Sequence, residues 1–222
     1  MGRIFDVLIS LFAIVILFPF IFPIMIILKL TGEHYIFYYQ SRIGKYGKEF
    51  KIVKFSTMLL NSPNIGTGEI SIKRDPRVFP FGRFLRKTKI NEIPQLLNIL
   101  IGDMSFVGPR PLTPKHYNFY SEDEKEIINQ LTPGLTGVGA IIFRDEEEIF
   151  AKSKMGHEQT YRQMISPYKV ALEKWYLNNR SGWIDIKIIF LTGWVILFIK
   201  SHLPFKLLRN LPRKPDYLNF DH

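Results

Sequence analysis

A chain of 222 residues holds one domain with a sizeable core, or one domain and a membrane anchor, and leaves little room for a second full domain. Its formal net charge of +10 and pI near 9.7 point to anionic partners: phosphates, nucleic acid or acidic lipid. It has no cysteine, which excludes a disulfide scaffold, a thiolate metal site and a cysteine nucleophile, and which fits a reducing, cytosol-facing setting.

The first organised feature runs from Ile4 to Leu28 and is apolar except for Asp6 and Ser10. At ~1.5 Å per residue a helix of this length reaches across a ~30 Å hydrocarbon core. The stretch is too long for the apolar part of a cleavable signal peptide and has no small-residue cleavage site. Pro19 and Pro23 lie inside it, and each removes a helix hydrogen bond and crowds the preceding turn. Two outcomes follow: a kinked spanning helix, or a helix–break–helix hairpin that enters and leaves by one face. The hairpin lets Arg3 and Lys29 rest at one anionic headgroup layer and is the expected form.

From Tyr35 to Met58 the sequence reads as a β-hairpin, with strand character at Phe50, Ile52 and Val53 and a turn at Gly44 and Gly47. Asn61 to Ser71 is polar and reads as loop. The most basic window follows: Lys73, Arg74, Arg77, Arg83, Arg86, Lys87 and Lys89, opposed by Asp75. Asn91 to Ile101 is expected to be a helix, capped by Thr88 or Asn91, with Pro94 in its first turn. GDMSFVGPRP is a turn and a stiff loop. Ser121 to Leu131 is a short acidic helix, TPGLTGVGA a Gly/Pro loop, and the FRDEEE run an acidic turn. Pro167 to Asn178 is an amphipathic helix. The apolar run within Gly182 to Lys200 is too short to span a bilayer and is expected to lie in its interface, with Trp183 and Trp194 at headgroup depth; a buried core helix is the alternative. The tail from Pro204 is basic and expected to be loosely ordered. The fold class is thus mixed α/β (α+β), helix-dominated, with a small β-hairpin. Its expected divisions are an anchor (1–30), a core (31–203) that includes the interfacial helix 183–200, and a tail (204–222).

The basic window leads into a helix start bearing Glu92, and the dipole at a helix N-terminus favours an ionised carboxylate there. A carboxylate among phosphate-binding cations commonly holds Mg²⁺ against a diphosphate. In GPRP, Arg110 stands between two prolines that fix φ on both sides, so a stiff backbone presents its guanidinium for bidentate phosphate contact. Taken singly, a basic run is a solvated face or nucleic-acid patch, an Asn-Glu pair is a cap, and GPRP is a turn. Beside a membrane anchor, the combination points to phosphoryl transfer at a diphosphate. A membrane-tethered nucleic-acid-binding protein would explain the basic window but not the carboxylate, GPRP and lipid-side helix together, and no strand resembles an aromatic RNA platform. The five histidines have no metal spacing, and no serine sits in a nucleophile elbow.

The string LRKTKINEIPQLLNILIGDMSFVGPRPL resembles the signature of the bacterial sugar transferases, the small monotopic phosphoglycosyl transferases. Further similar blocks, RIFDVLISLFAIVILFP, QSRIGKYGKEFKIVKFSTM, DPRVFPFGRFLRK, LTPGLTGVGA and WIDIKIIFLT, keep the family's order and cover nearly the whole chain. The resemblance implies a UDP-sugar donor used with Mg²⁺, an undecaprenyl phosphate acceptor, release of UMP, and the first step of surface-glycan assembly. It also implies a place on the cytoplasmic membrane of a bacterium, with the core on the cytosolic face, and a re-entrant N-terminal helix. Glycan-assembly glycosyltransferases and a second copy of the chain are partners left open, and nucleic acid is not expected.

Residue by residue, the resemblance places Glu92 on the family's metal-assisting glutamate and Arg110 and Pro111 on its nucleotide-diphosphate motif. Lys54 falls on the lysine of the KF-x-T-M block, Arg83 and Arg86 on the GRFLRK arginines, and Asp185 on a late aspartate that is structural or faces the site. Two positions depart. Phe18 stands before Pro19 where the family has serine, leaving no hydroxyl at the break, with Pro23 as a second break. Asn91 stands where the family has its nucleophilic aspartate, and an amide cannot form an acyl phosphate. Three readings stay open. In the first, transfer proceeds through another carboxylate, such as Asp145 or Glu146, or by direct attack of the lipid phosphate. In the second, the chain has lost activity and serves as a scaffold in a glycan-assembly complex. In the third, Asn91 deamidates.

Overall fold

The computed structural model describes residues 2–65, 75–144, 146, 149–150, 153–198 and 201–215. In chain order these form α1 (Arg3–Leu30), β1 (Phe37–Ile43), β2 (Glu49–Phe55), α2 (Pro80–Lys87), α3 (Gln95–Ile101), β3 (Ser105–Val107), α4 (Pro114–Tyr117), α5 (Glu122–Asn129), β4 (Gly134–Thr136), α6 (Val138–Ile142), α7 (His157–Thr160), α8 (Ser166–Asn179), α9 (Gly182–Leu197) and α10 (Leu203–Leu207). Among the described residues helices dominate, with one two-stranded hairpin, β1–β2, and one parallel pair, β3–β4. This is the expected fold class.

The chain divides into two compact units. One comprises Ile4–Ser41 and Lys51–Gly102. Its helix α1 carries Pro19 and Pro23 within it and ends at neither. The helix is long and apolar enough to cross a membrane, and little of it is buried. Ile4, Leu8, Phe12, Val15 and Phe20 are all exposed, an apolar surface that water does not tolerate but acyl chains do. Asp6 and Ser10 are exceptions. Both are buried, and the Ser10 hydroxyl donates to the Val7 carbonyl of its own helix. At the other end Leu28 packs with Phe55 and Leu85 to form this unit's core.

Helix α2 was not legible in the basic window. It begins at Pro80, whose fixed φ suits a first helical position, and it buries Gly82 and Leu85. A Cβ on Gly82 would lie 2.3 Å from the Thr57 carbonyl oxygen, so only glycine lets the helix pass so close. The helix expected from Asn91 begins four residues later, at Gln95. Asn91 and Glu92 lie instead in a single 3₁₀ turn, Ile90–Glu92, entered through Lys89 at φ +61°. Thr88 caps nothing there, since its hydroxyl donates back to Phe84 and Leu85 of α2. Pro94 is tolerated because helix-start N–H groups lack intrahelical partners in any case. Asn98 of α3, fully buried, accepts from the Val53 N–H at 2.9 Å and donates to the Lys51 carbonyl at 2.8 Å, tying α3 to β2.

The other unit comprises Met1–Arg3, Arg42–Phe50 and Asp103–His222. Its core gathers Val107, Leu131, Val138, Ile165, Leu172, Trp175, Ile188, Leu191 and Leu208. The parallel pair β3–β4, in register Ser105↔Gly134 and Val107↔Thr136, replaces the two loops expected at GDMSFVGPRP and TPGLTGVGA. Three-residue strands carry no readable alternation, which is why they look like loop. Helix α5 has a full capping box, Ser121 and Glu124 each bonding the other's backbone. The helical run through α7 and α8 contains a π-turn at Tyr161–Ile165. Pro167 accounts for it: the missing N–H and the bulky ring displace the preceding turn. The stretch after Leu203, expected to be loose, instead forms α10 and buries Pro204 and Leu208, and the Tyr168 hydroxyl donates to the Pro212 carbonyl.

Candidate active site

In the first unit β2 and the 3₁₀ turn bring two expected site residues together. The Lys54 ammonium lies 3.6 Å from the Glu92 carboxylate, with both side chains largely buried. Asn91 beside it is 8% exposed, and its amide oxygen is buried with no hydrogen-bond donor. A buried acceptor left without a donor costs about 1–3 kcal/mol, so the Asn91 oxygen is a local cost to the fold of this turn. Among the described residues no cluster of three or more His, Cys, Asp or Glu could hold a metal. The Asn91 oxygen and the Glu92 carboxylate nevertheless form an oxygen donor set that suits a hard cation whose remaining ligands come from substrate phosphates.

Helix α2 packs against this turn and supplies the arginines. Arg83 is exposed; Arg86 is partly buried, and its guanidinium reaches the Met58 sulfur at 3.0 Å. Arg77 is not part of this cationic face. It is buried and paired side-on with Asp75, and it donates to the Ser62 and Ile65 carbonyls, so it ties these two residues to Asp75. Lys73 and Arg74 of the same window lie outside the described residues.

In the second unit the GPRP loop leaves β3 and turns against the loop around β4. A Cβ on Gly108 would stand 2.1 Å from the Thr132 oxygen, and one on Gly134 2.1 Å from the Gly108 nitrogen. Gly108 donates to the Thr136 carbonyl at 2.9 Å and Gly134 to the Pro109 carbonyl at 2.8 Å. Backbone therefore lies directly on backbone beneath Arg110, which is exposed, while Pro111 is buried. The Arg42 guanidinium donates to the Pro111 carbonyl at 2.9 Å. Behind this loop stand Tyr161 and Tyr120, hydroxyls 3.1 Å apart, and a Lys169–Glu146 pair at 2.8 Å. Both phenols are held protonated well above the ordinary range. Burial is the main cause, with Glu146 adding to it at Tyr161.

Asp185, carried as a late site aspartate, is buried and accepts from the Tyr176 hydroxyl at 2.6 Å, a cross-link between α9 and α8. Asp145 lies outside the described residues. Glu146, its neighbour in the acidic run, is committed to Lys169.

The bacterial sugar transferase family model matches residues 1–199. The chain belongs to that family. An undecaprenyl-phosphate galactose phosphotransferase of Salmonella typhimurium is 30% identical over 209 residues, covering 88% of this chain and 40% of the relative. A UDP-glucose:undecaprenyl-phosphate glucose-1-phosphate transferase of Escherichia coli is 31% identical over 190 residues, covering 84% of this chain and 38% of the relative. The exopolysaccharide production protein ExoY of Sinorhizobium fredii is 32% identical over 204 residues, covering 86% of this chain and 82% of the relative. The chain thus spans about two fifths of the Salmonella and Escherichia relatives and most of ExoY. Within this bacterial sugar transferase, sequence reasoning missed Arg42, Tyr161 and Lys169. Arg42 sat unremarked in QSRIGK, and no motif in the sequence marks the π-turn that carries Tyr161.

Proposed function

We propose that this chain transfers a sugar phosphate from a UDP-sugar to undecaprenyl phosphate at the cytosolic face of a bacterial inner membrane, beginning the assembly of a surface glycan. The support is the family match together with the Lys54–Glu92 pair beside the donorless Asn91 oxygen. In the reaction an acceptor phosphate oxygen attacks the sugar-bearing phosphorus, the bond from that phosphorus to the bridging oxygen breaks, and UMP leaves. Within the second unit Arg110, on its stiff loop, is the residue suited to grip a diphosphate; within the first, Arg83 and Arg86 add cationic field to the unit that carries Glu92. Asn91 and Glu92 would hold Mg²⁺, which supplies charge neutralisation at the diphosphate. Lys54 orients the Glu92 carboxylate. An amide does not form an acyl phosphate and Glu146 is paired with Lys169, so of the routes left open we take direct displacement by the lipid phosphate.

The membrane reading rests on two apolar surfaces, each within its own unit. One is α1. The other is α9, which buries Asp185, Ile188, Leu191 and Val195 on one side and exposes Trp183, Phe190 and Leu197 on the other. A helix apolar on both sides, with one side left open, belongs at a lipid interface. For α1 we take the re-entrant arrangement, bent at Pro19 and Pro23, because it keeps buried Asp6 out of the hydrocarbon. The test is mass spectrometry of the lipid fraction after incubation with UDP-sugars, undecaprenyl phosphate and Mg²⁺. A lipid diphosphate bearing one hexose or amino sugar supports the proposal; unchanged lipid with every donor removes it.

A further inference from the structure

Helix α2 is fixed to the end of α1 at which the apolar stretch gives way to Lys29. Leu85 of α2 shares a core with Leu28 of α1, and Phe79, just before α2, lies against Gly32, just after α1. The Leu60 N–H donates to the Glu33 carboxylate, which ties a further segment to the same end. Residues three or four apart share a helix face, so α2 has two distinct sides. Gly82 and Leu85 face the core. Arg83, Phe84 and Lys87 are exposed on the other side, and exposed Lys89 follows. Phe84 is 53% exposed, its ring 6.1 Å from that of Phe81. From Pro80 to Lys89 there is no acidic residue. A single exposed phenylalanine needs no explanation in itself. This one stands among cations, on a helix held against the end of a long and exposed apolar helix.

We infer that α2 is a lipid-docking element: its open face lies on an anionic headgroup layer, with Phe84 at the acyl boundary and Lys87 and Lys89 on lipid phosphates. The inference rests on the reading of α1 as embedded in lipid. Continuity favours a membrane over a protein partner, because the Leu28–Leu85 contact sets α2 at the depth where α1 leaves the hydrocarbon. Charge favours it over a soluble anion. An aromatic ring among cations, with no carboxylate, matches the boundary between acyl chains and anionic headgroups, whereas a free phosphate makes no use of the ring. The docked helix bears on the site within its own unit. It packs against the 3₁₀ turn that carries Asn91 and Glu92, and Lys89, at φ +61°, leads directly into that turn. Docking of α2 therefore holds the Lys54–Glu92 pair next to the headgroup layer, where the phosphate of a lipid acceptor lies.

The chain has no cysteine, so a single introduced thiol takes a single environment-sensitive label. Phe84→Cys and, on exposed α1, Phe12→Cys are labelled separately in the full chain. Each is placed in nanodiscs of phosphatidylcholine, alone or mixed in equal parts with phosphatidylglycerol, that carry a quencher at shallow acyl depth. The Phe84 label should be quenched in the anionic discs and released by high salt or by phosphatidylcholine alone. With Lys87→Gln and Lys89→Asn, the latter a residue that tolerates positive φ, the ratio of docked to free α2 should fall about fivefold for each lysine removed. Amide exchange of the unlabelled wild type gives the same comparison without a label: Phe81 to Lys89 should be better protected in anionic discs. A Phe84 label that stays in water while the Phe12 label is quenched overturns the inference and leaves the membrane reading of α1 intact. Quenching indifferent to salt and to both lysines overturns it too, as does release of the label by inorganic phosphate at constant ionic strength, which assigns the face to a soluble anion. A Phe12 label in water removes the membrane reading itself, and the inference with it.

Discussion

At the scale of single residues, the proposed transfer turns on Asn91. Its buried oxygen lacks a donor and its neighbour Glu92 is paired to Lys54. A direct displacement needs no enzyme-bound intermediate. Without lipid acceptor, labelled UMP should therefore not exchange into the UDP-sugar in the wild type, and exchange should appear in Asn91→Asp. Exchange in the wild type would point to a carboxylate nucleophile, and Glu92→Gln would then show whether it is Glu92. A second buried group bears on stability. Glu173 is enclosed in the second unit, one carboxyl oxygen has no partner, and burial pushes its pKa from 4.5 up to about 8 against the pull of Lys169. Between roughly pH 4.5 and 8 the native state holds a proton that the unfolded chain has released. Glu173 therefore costs stability as pH rises through that window, by a few kcal/mol in order of magnitude. Glu173→Gln should raise Tm above neutral pH and flatten its pH dependence; an unchanged slope in thermal melts would show the carboxyl is not the source.

At the scale of elements, what was legible followed period and punctuation. The β1–β2 hairpin, α5, α8 and α9 all appear close to where alternation, capping residues and apolar spacing put them. The 3₁₀ turn at Ile90–Glu92 and the strands β3 and β4 did not, because each is three residues long and fixed by tertiary contact rather than by local preference. The site followed the same rule. Glu92, Asn91, Arg110 and Lys54 stand in motifs that the sequence displays, whereas the contact of Arg42 with Pro111 leaves no trace there because it joins a strand end to a loop 69 residues away. Not every cation of the basic window is solvated: Arg77 is a buried staple to Asp75. The GPRP loop supports an element-scale prediction. With no room for a Cβ, Gly134→Ala must push the β4 loop off Gly108 and release the backbone under Arg110. It should lower Tm by several degrees and reduce donor affinity together; a variant that binds UDP normally would show that the backbone seat does not hold Arg110.

At the scale of the whole molecule, the chain combines an excess of basic residues, an apolar helix exposed along most of its length and a second helix open on one apolar side. These features fit the proposed transfer from a soluble diphosphate donor to an anionic lipid. Family membership is consistent with that pairing, and the relatives named as undecaprenyl-phosphate transferases act on such an acceptor. Turnover despite Asn91 is tested most directly by UMP release from a panel of UDP-sugars, using the full chain in lipid with Mg²⁺, with and without undecaprenyl phosphate. UMP release is expected from at least one donor, requiring the acceptor and lost in Arg110→Met. No release from any donor, in a preparation whose thermal melt shows a folded chain, would contradict the proposed transfer.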